Sequence, residues 1–227
     1  MNVVIITSII HTVNTLLSCG NVRSIYTPEE RYHQTLKTIE SVKKYISNIY
    51  VVLIEVSKID EDKEYNFRTN VNLYINYSDD ANLNTIVNNN NKSYAEASMI
   101  LKFLESDEFK KLNIDNLFKI SGRYFLNEKF MLDQYMNNSN CFRQIHNEGY
   151  YSSIPCYYSF FYKICKEDLD KYVNIFKNNI HKLQPVHDIY HMDMEHFLCT
   201  YFKNNIKHIN TLGISGNIAV NGTVINH

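Results

Sequence analysis

The stretch VVIITSII at residues 3–10, followed by TPEERYHQTLKTIESVKKYI at residues 27–46, decides the fold. The first stretch is a continuous run rich in β-branched residues, which is typical of a strand covered on both faces. The second has Thr27 as N-cap, Pro28 at the first helical position and Glu30 completing a capping box. Another apolar run follows at residues 49–56. This order predicts a βαβ unit and a parallel sheet.

The remaining chain extends this pattern. A third strand is predicted at residues 71–77 directly after the second, then a polar, Asn-rich loop at 80–91, a helix at 93–104 and a strand at 116–120. Farther on, the pattern predicts strands at 142–145 and 157–164, helices at 166–179 and 192–203, and a Gly-punctuated, strand-like end at 211–225. There is no internal repeat and no linker rich in Pro, Gly or Ser. We therefore expect one α/β domain over residues 1–227 with a mostly parallel central sheet.

Composition excludes several classes of protein. The 227 residues carry 23 Lys and Arg against 24 Asp and Glu, and 44% are hydrophobic, which is typical of a globular chain. The net charge of -1 gives no basic excess for nucleic acid or anionic lipid. No run approaches the roughly 20 apolar residues of a transmembrane span, and the N-terminus lacks the basic region of a signal peptide. Five scattered cysteines without a C-x-x-C spacing predict reduced thiols and a cytoplasmic location.

Polar residues follow the first, second and fourth predicted strands. In an open α/β sheet the ligand lies outside the carboxyl ends of the strands, so these residues should share one cleft. Hydroxyls, a carboxylate and an arginine suit the ribose and the diphosphate of a nucleotide. Ordinary strand-end polarity is the alternative for Thr7, Ser8 and Glu55. The predicted ligand residues are Thr7, Ser8, Glu55, Ser121, Gly122, Arg123 and Tyr124.

Several segments together resemble small GT-A-type glycosyltransferases of bacterial and giant-virus surface polysaccharide gene clusters. They are YTPEERYHQTL at 26–36, the pair Lys92 and Glu96, FKISGRY at 118–124, MEH at 194–196 and GISGNIA at 213–219. The resemblance implies a GT-A-like, Rossmann-like fold that moves a sugar from a nucleotide-activated donor to a glycan or lipid-linked acceptor. It assigns about residues 1–125 to the nucleotide-sugar donor and about 126–227 to the acceptor. It also adds Arg31 and Lys92 to the donor residues, although Lys92 and Glu96 have the spacing of a surface ion pair.

One departure from that family concerns the metal. Most GT-A enzymes carry Asp-x-Asp at the end of the strand before the cleft, where it holds a divalent cation against the diphosphate; here the sequence is Ser121-Gly122-Arg123. A guanidinium supplies a permanent charge and a fork of donors for phosphate, so we expect Arg123 to replace the metal and expect no cofactor. A structural salt bridge is the alternative role for Arg123. The competing prediction is Mn²⁺ or Mg²⁺ held by Asp79 and Asp80.

The catalytic base is expected in the second half. Residues 187–196, HDIYHMDMEH, contain the densest titratable groups of the chain. Glu195, at the N-terminal edge of a predicted helix, is the first choice of base for the acceptor hydroxyl, followed by Asp188 and Asp193. A capping or pairing role for Glu195 is the alternative.

Two other functions are compatible with the sequence. His187 and His191 stand at i, i+4 with Asp188 between them, which resembles the H-E-x-x-H spacing of zinc metallohydrolases, but the acid is Asp and no third ligand is evident. A non-catalytic module that binds sugars or nucleotides is the second. Its tyrosines could stack on sugar rings, although aromatic residues in strands more often pack in a core. Those tyrosines are Tyr150, Tyr151, Tyr157, Tyr158 and Tyr162.

Overall fold

The computed structural model describes residues 1–13, 17, 22–145, 155–184 and 192–227. The βαβ unit predicted at the start is confirmed. Strand β1 (Asn2–Ser8) is buried at all seven positions, and strand β2 (Ile49–Glu55) pairs with it in parallel. Between them, helix α1 (Pro28–Tyr45) begins at a complete capping box formed by Thr27 and Glu30.

The remaining elements alternate less regularly. In chain order they are α2 (Glu61–Asn70), β3 (Leu73–Asn76), α3 (Ala81–Val87), α4 (Lys92–Leu104), α5 (Asp107–Lys110), β4 (Asn116–Ser121), β5 (Tyr124–Leu126), β6 (Asn140–Phe142), β7 (Gln144–Ile145), β8 (Cys156–Tyr157), β9 (Phe161–Cys165), α6 (Leu169–Asn179), α7 (Met194–Tyr201), β10 (Ile206–His208), β11 (Ile214–Asn217) and β12 (Val224–Asn226). None of the helices in the described part of the chain is both long and apolar enough to cross a membrane.

A seven-stranded sheet is the centre of the molecule, in the order β10-β6-β9-β4-β1-β2-β3. Strand β1 is parallel to both β2 and β4, and β3 is parallel to β2. Strand β9 is antiparallel to β4 and β6. The predicted mostly parallel sheet is therefore confirmed. The register places Thr7 beside Ser121 and Ser8 beside Glu55, so the carboxyl ends of β1, β2 and β4 meet at one edge.

Side chains alternate between two cores, one on each face of the sheet. Val3 and Ile5 of β1 pack on the face covered by α4, α6 and α7, whereas Val4 and Ile6 pack on the face covered by α1. This gives a three-layer α/β/α arrangement. As a result, the side chains of Thr7 and Ser8, at the end of the same strand, lie on opposite faces of the sheet.

Besides the single turn of α5, two helices lie where the sequence predicted none. Helix α2 connects β2 to β3, which were expected to follow one another directly, and parallel strands need such a crossover. Helix α3 occupies the expected Asn-rich loop. Both helices were missed because they bury little: only Phe67 in α2, and Leu83 and Val87 in α3. Neither shows the apolar stripe on which helix prediction depends.

A second sheet, β12-β11-β5, attaches the C-terminal segment to the domain. Strand β11 pairs with β5, just beyond the end of β4. Gly213 precedes β11 at φ +67, and a Cβ there would lie 2.2 Å from the backbone of Phe130. Only glycine combines that φ with so close an approach. The Ala219 carbonyl accepts a 2.8 Å hydrogen bond from the Ile25 amide, which holds the C-terminal segment beside the start of α1.

Candidate active site

The carboxyl ends of β1 and β4 open into a cavity of about 210 Å³ that also touches α1, α4 and α7. Most of the site residues predicted from the sequence line this cavity. They come from both halves of the chain. Those lining it are Thr7, Ser8, Arg31, Lys92, Ser121, Gly122, Arg123, Tyr124 and Glu195. The expected meeting of strand ends at one edge thus brings these residues into one cavity.

Two predicted residues do not line the cavity. Glu55 is completely buried, and its Oε1 accepts hydrogen bonds from the Ile10, Val56 and Ser57 amides at 2.8–3.2 Å. Glu55 therefore fixes the loops after β1 and β2 instead of facing a ligand. Asp193 is the N-cap of α7, and its Oδ1 lies 2.7 Å from the Nδ1 of His196. The third candidate base, Asp188, lies outside the described residues, as do His187 and His191.

Four cationic side chains reach the cavity, and three of them are anchored by backbone or hydroxyl oxygens. Arg31 donates from Nε to the Ile9 carbonyl at 2.6 Å and from an amino group to Ser24 Oγ at 3.1 Å. Arg23 donates to the Asn89 carbonyl at 2.6 Å, and Lys92 donates to the Arg23 carbonyl. Burial, and next the charge of Arg123, lower the pKa of Arg31 to about 9. Since guanidinium charges lie close enough to oppose one another, an anion between them would be stabilised.

Arg123 lacks such a backbone anchor in the described part of the chain, where no carboxylate lies within ion-pairing distance of it either. Its Nε is buried and has no hydrogen-bond partner. The structure therefore gives no support to the salt-bridge alternative. The preceding residue, Gly122, donates its amide to the Thr7 carbonyl at 2.9 Å, and a Cβ would approach Thr35 Oγ1 to 3.0 Å. This close approach sets the direction in which Arg123 leaves β4.

An ion pair at the floor of the cavity was not predicted. Lys119 of β4 is 1% exposed, and its Nζ lies 2.7 Å from Oε1 of Glu96 on α4. The same oxygen accepts hydrogen bonds from Thr7 Oγ1 at 2.7 Å and from Ser121 Oγ at 2.9 Å. Burial acts to raise the pKa of Glu96, but the Lys119 charge and these donors outweigh it, so the pKa is lowered. Glu96 therefore pairs with Lys119, and Lys92 is not its partner.

Glu195 also contributes a carboxylate to the cavity, with a different electrostatic environment. Its Oε1 accepts a 2.5 Å hydrogen bond from Ser159 Oγ. Burial, and next the charge of Asp193, raise the pKa of Glu195 to about 7. A carboxyl group with that pKa exchanges protons near neutral pH, as a general base or acid requires.

The residues at the end of β4, where the family carries its metal ligands, do not suit a divalent cation. Hard cations take carboxylate, carbonyl and water oxygens, but the end of β4 offers a hydroxyl, a glycine and a guanidinium, which has no lone pair to give. In the described residues no group of three His, Cys, Asp or Glu side chains is placed to hold a metal ion. Of the alternative aspartates, Asp79 is exposed, and Asp80 caps α3 and pairs with Lys102. Neither lines the cavity.

Aromatic residues form one wall. Tyr124 stacks on Phe160 with ring centroids 4.4 Å apart, and both line the cavity. The described tyrosines of the predicted sugar-stacking set, Tyr157, Tyr158 and Tyr162, are buried in the cores instead. Tyr150 and Tyr151 lie outside the described residues.

No model of a known protein family and no curated protein sequence matches this chain. Solved structures do match. The glycosyltransferase GlyE of Streptococcus pneumoniae TIGR4 superposes with a TM-score of 0.53 at 9% identity, over 92% of this chain and 46% of GlyE. The galactosyltransferase LgtC, solved with donor and acceptor sugar analogues, gives 0.53 at 13% identity over 92% of this chain and 73% of LgtC. The resemblance to GT-A-type glycosyltransferases is confirmed at the level of the fold.

Proposed function

We propose that this chain is a glycosyltransferase that moves a sugar from a nucleotide-activated donor to a glycan or lipid-linked acceptor without a divalent metal. One observation carries the proposal: a single cavity at the carboxyl edge of a GT-A-like sheet combines clustered guanidinium groups with a carboxyl group whose pKa is about 7. The first feature suits a diphosphate, and the second suits proton transfer from an alcohol.

The diphosphate of the donor binds between Arg31 and Arg123. Each guanidinium offers planar N–H donors that match phosphate oxygens, and an anion there relieves the repulsion between the two cations. As the bond from the anomeric carbon to the diphosphate oxygen breaks, its electron pair moves onto that oxygen. Arg123 stabilises the developing charge, which is the role a metal would otherwise have.

Glu195 acts on the acceptor. Its carboxylate takes the proton of the acceptor hydroxyl while the acceptor oxygen forms the new bond to the anomeric carbon. Ser159 orients the carboxylate through Oε1. The products are the glycosylated acceptor, the nucleoside diphosphate and a protonated Glu195, which returns its proton to solvent.

The test compares donor binding by variants of two arginines. Arg123→Ala should weaken binding of a nucleoside diphosphate by about 1.5–3 kcal/mol, the cost of losing a charged hydrogen bond. Arg123→Lys should recover only part of this loss, since a point charge lacks the planar fork. Arg68→Ala is the matched control, because Arg68 lies on α2 and pairs with Glu64 instead of lining the cavity. Isothermal titration calorimetry with UDP, GDP, CDP and dTDP measures all four proteins.

EDTA separates this proposal from a metal-dependent one. Binding and turnover of the donor should survive chelation. Strict dependence on Mn²⁺ or Mg²⁺, together with unchanged affinity in Arg123→Ala, would overturn the role of Arg123. Hydrolysis of the donor in the absence of acceptor distinguishes an enzyme from a module that only binds sugars, since only the enzyme releases the nucleoside diphosphate.

A further inference from the structure

Of the two carboxylate oxygens of Glu96, Oε1 accepts hydrogen bonds from the described part of the chain and Oε2 does not. Three donors, from Thr7, Lys119 and Ser121, converge on Oε1 within 2.9 Å. No donor of the described residues reaches Oε2, and the side chain is 23% exposed and lines the cavity. A carboxylate that is held ionised and rigid therefore presents an unused acceptor to whatever occupies the cavity.

Lys119 holds Glu96 in place but contributes nothing to a ligand. Its three ammonium protons are used on Glu96 Oε1 at 2.7 Å, Ser121 Oγ at 2.8 Å and the Ser159 carbonyl at 2.9 Å. An ammonium has three donors in total, so none remains for a bound molecule. The floor of the cavity consequently offers acceptors, whereas Arg31 and Arg123 lie elsewhere in the lining.

Helix α4 places a cation, Lys92, and a carboxylate, Glu96, next to one another along the cavity, as the diphosphate and the sugar are next to one another in a nucleotide sugar. Lys92 and Glu96 stand at i, i+4 on one face, and their Cα atoms are separated by about 6 Å along the helix axis. A diphosphate bound between Arg31 and Arg123, on the side of the cavity where Lys92 lies, would therefore put the attached sugar beside Glu96. Glu195 is the other carboxylate that lines this cavity.

We propose that Glu96 accepts hydrogen bonds from hydroxyl groups of the donor sugar and selects neutral sugars over acidic ones such as uronates. The proposal rests on the function proposed above. Hydroxyls are donors that match a fixed carboxylate oxygen, whereas a sugar carboxylate at the same position would be repelled by the ionised Glu96 carboxylate. Glu96 is thus a specificity-determining residue, and Lys119 is a positioning residue that acts through it.

The experiment measures affinities for one nucleoside diphosphate and two of its esters by calorimetry. UDP, UDP-glucose and UDP-glucuronate are the probes, and the corresponding esters of GDP, CDP or dTDP replace them if UDP does not bind. Wild-type protein should prefer the neutral ester over the glucuronate ester by about 10- to 100-fold, the range expected when a charged hydrogen bond is exchanged for a repulsion. Glu96→Gln should reduce that preference at least tenfold while leaving the affinity for the nucleoside diphosphate within about threefold.

Two further variants control for the loss of a carboxylate elsewhere and for the loss of the Lys119 counter-charge. Glu105→Gln carries the same substitution on an exposed residue just past α4 and should leave the preference unchanged. Should Glu96→Gln fold poorly because Lys119 loses its counter-charge, the double variant Glu96→Gln/Lys119→Met removes both buried charges and should show the same loss of preference.

The possible failures are distinct. If no nucleoside diphosphate binds, the proposed function is wrong, and this proposal falls with it. If nucleoside diphosphates bind but the glucuronate ester binds as tightly as the neutral ester, the selection by Glu96 is wrong and the proposed function stands. A preference that persists in both Glu96 variants also assigns the selection to other residues.

Discussion

Glu195→Gln should make the protein more stable above neutral pH, although it removes the residue proposed as base. In the native state burial raises the pKa of Glu195 from 4.5 to about 7. The native protein therefore retains this proton up to about pH 7, whereas the unfolded chain loses it near pH 4.5. Between these values the native state binds more protons, so the free energy of unfolding falls as pH rises.

The size of the effect follows from the same pKa. A rise from 4.5 to about 7 corresponds to at most about 3.5 kcal/mol, because one pKa unit is about 1.4 kcal/mol. Glu195 lies on the cavity wall and is only partly buried in side-chain area. Solvent in the cavity reduces the penalty, and we expect about 1–3 kcal/mol. Glutamine cannot ionise, so this pH-dependent loss should be absent from the variant.

Urea denaturation followed by circular dichroism at pH 4.5, 6, 7 and 8.5 provides the measurement. Glu195→Gln should match the wild type near pH 4.5 and exceed it by about 1–3 kcal/mol at pH 8.5, with an unchanged m-value. Glu105→Gln, at an exposed position, should follow the wild-type curve. Equal pH dependence in wild type and Glu195→Gln would show that the environment of Glu195 does not raise its pKa, and the electrostatic argument for its role as base would fail.

Glu195→Gln also tests the catalytic role of the site, and two glycine substitutions test the fold. Glu195→Gln should abolish sugar transfer in a nucleoside diphosphate release assay but leave calorimetric donor affinity nearly intact, because the amide keeps the shape and cannot accept the proton; full activity would remove Glu195 from the mechanism. Gly213→Ala should destabilise the domain by about 3 kcal/mol or more in urea denaturation, since its Cβ would meet Phe130 backbone atoms at 2.2 Å. Gly222→Ala, also at positive φ, should cost less because its first contact is the end of the flexible Ile25 side chain; equal costs would contradict this steric explanation.

The sequence predicted the elements that are strongly patterned. The buried run of β1 and the capping box of α1 are local features, and both are found as expected. Helices α2 and α3 could not be predicted in the same way, because their few buried side chains produce no apolar stripe. Their existence follows from topology instead, at least for α2, since parallel neighbours such as β2 and β3 require a crossover.

The sequence predicted those site residues whose position depends only on where the parallel strands end. Thr7, Ser121 and Arg123 line the cavity because parallel strands carry their carboxyl ends to one edge. Glu55 occupies an equivalent position, but the loop after β1 folds back and donates the Ile10 amide to its carboxylate. That tertiary contact leaves no mark on the local sequence.

The sequence does contain a feature that could have predicted the Lys119–Glu96 ion pair, namely a lysine within an apolar strand. It stands between Phe118 and Ile120 in a strand whose other inner positions are apolar, and a charge there must find a buried partner. Strand alternation puts Lys119 on the same face as Thr7 and Ser121, under α4. An apolar pair of similar volume would stabilise such a position at least as well as a buried ion pair does. The stability of the fold therefore does not explain why Lys119 and Glu96 are present. A rigid, ionised carboxylate at the cavity floor does explain them, so we expect substitutions of this pair to change ligand selectivity more than stability.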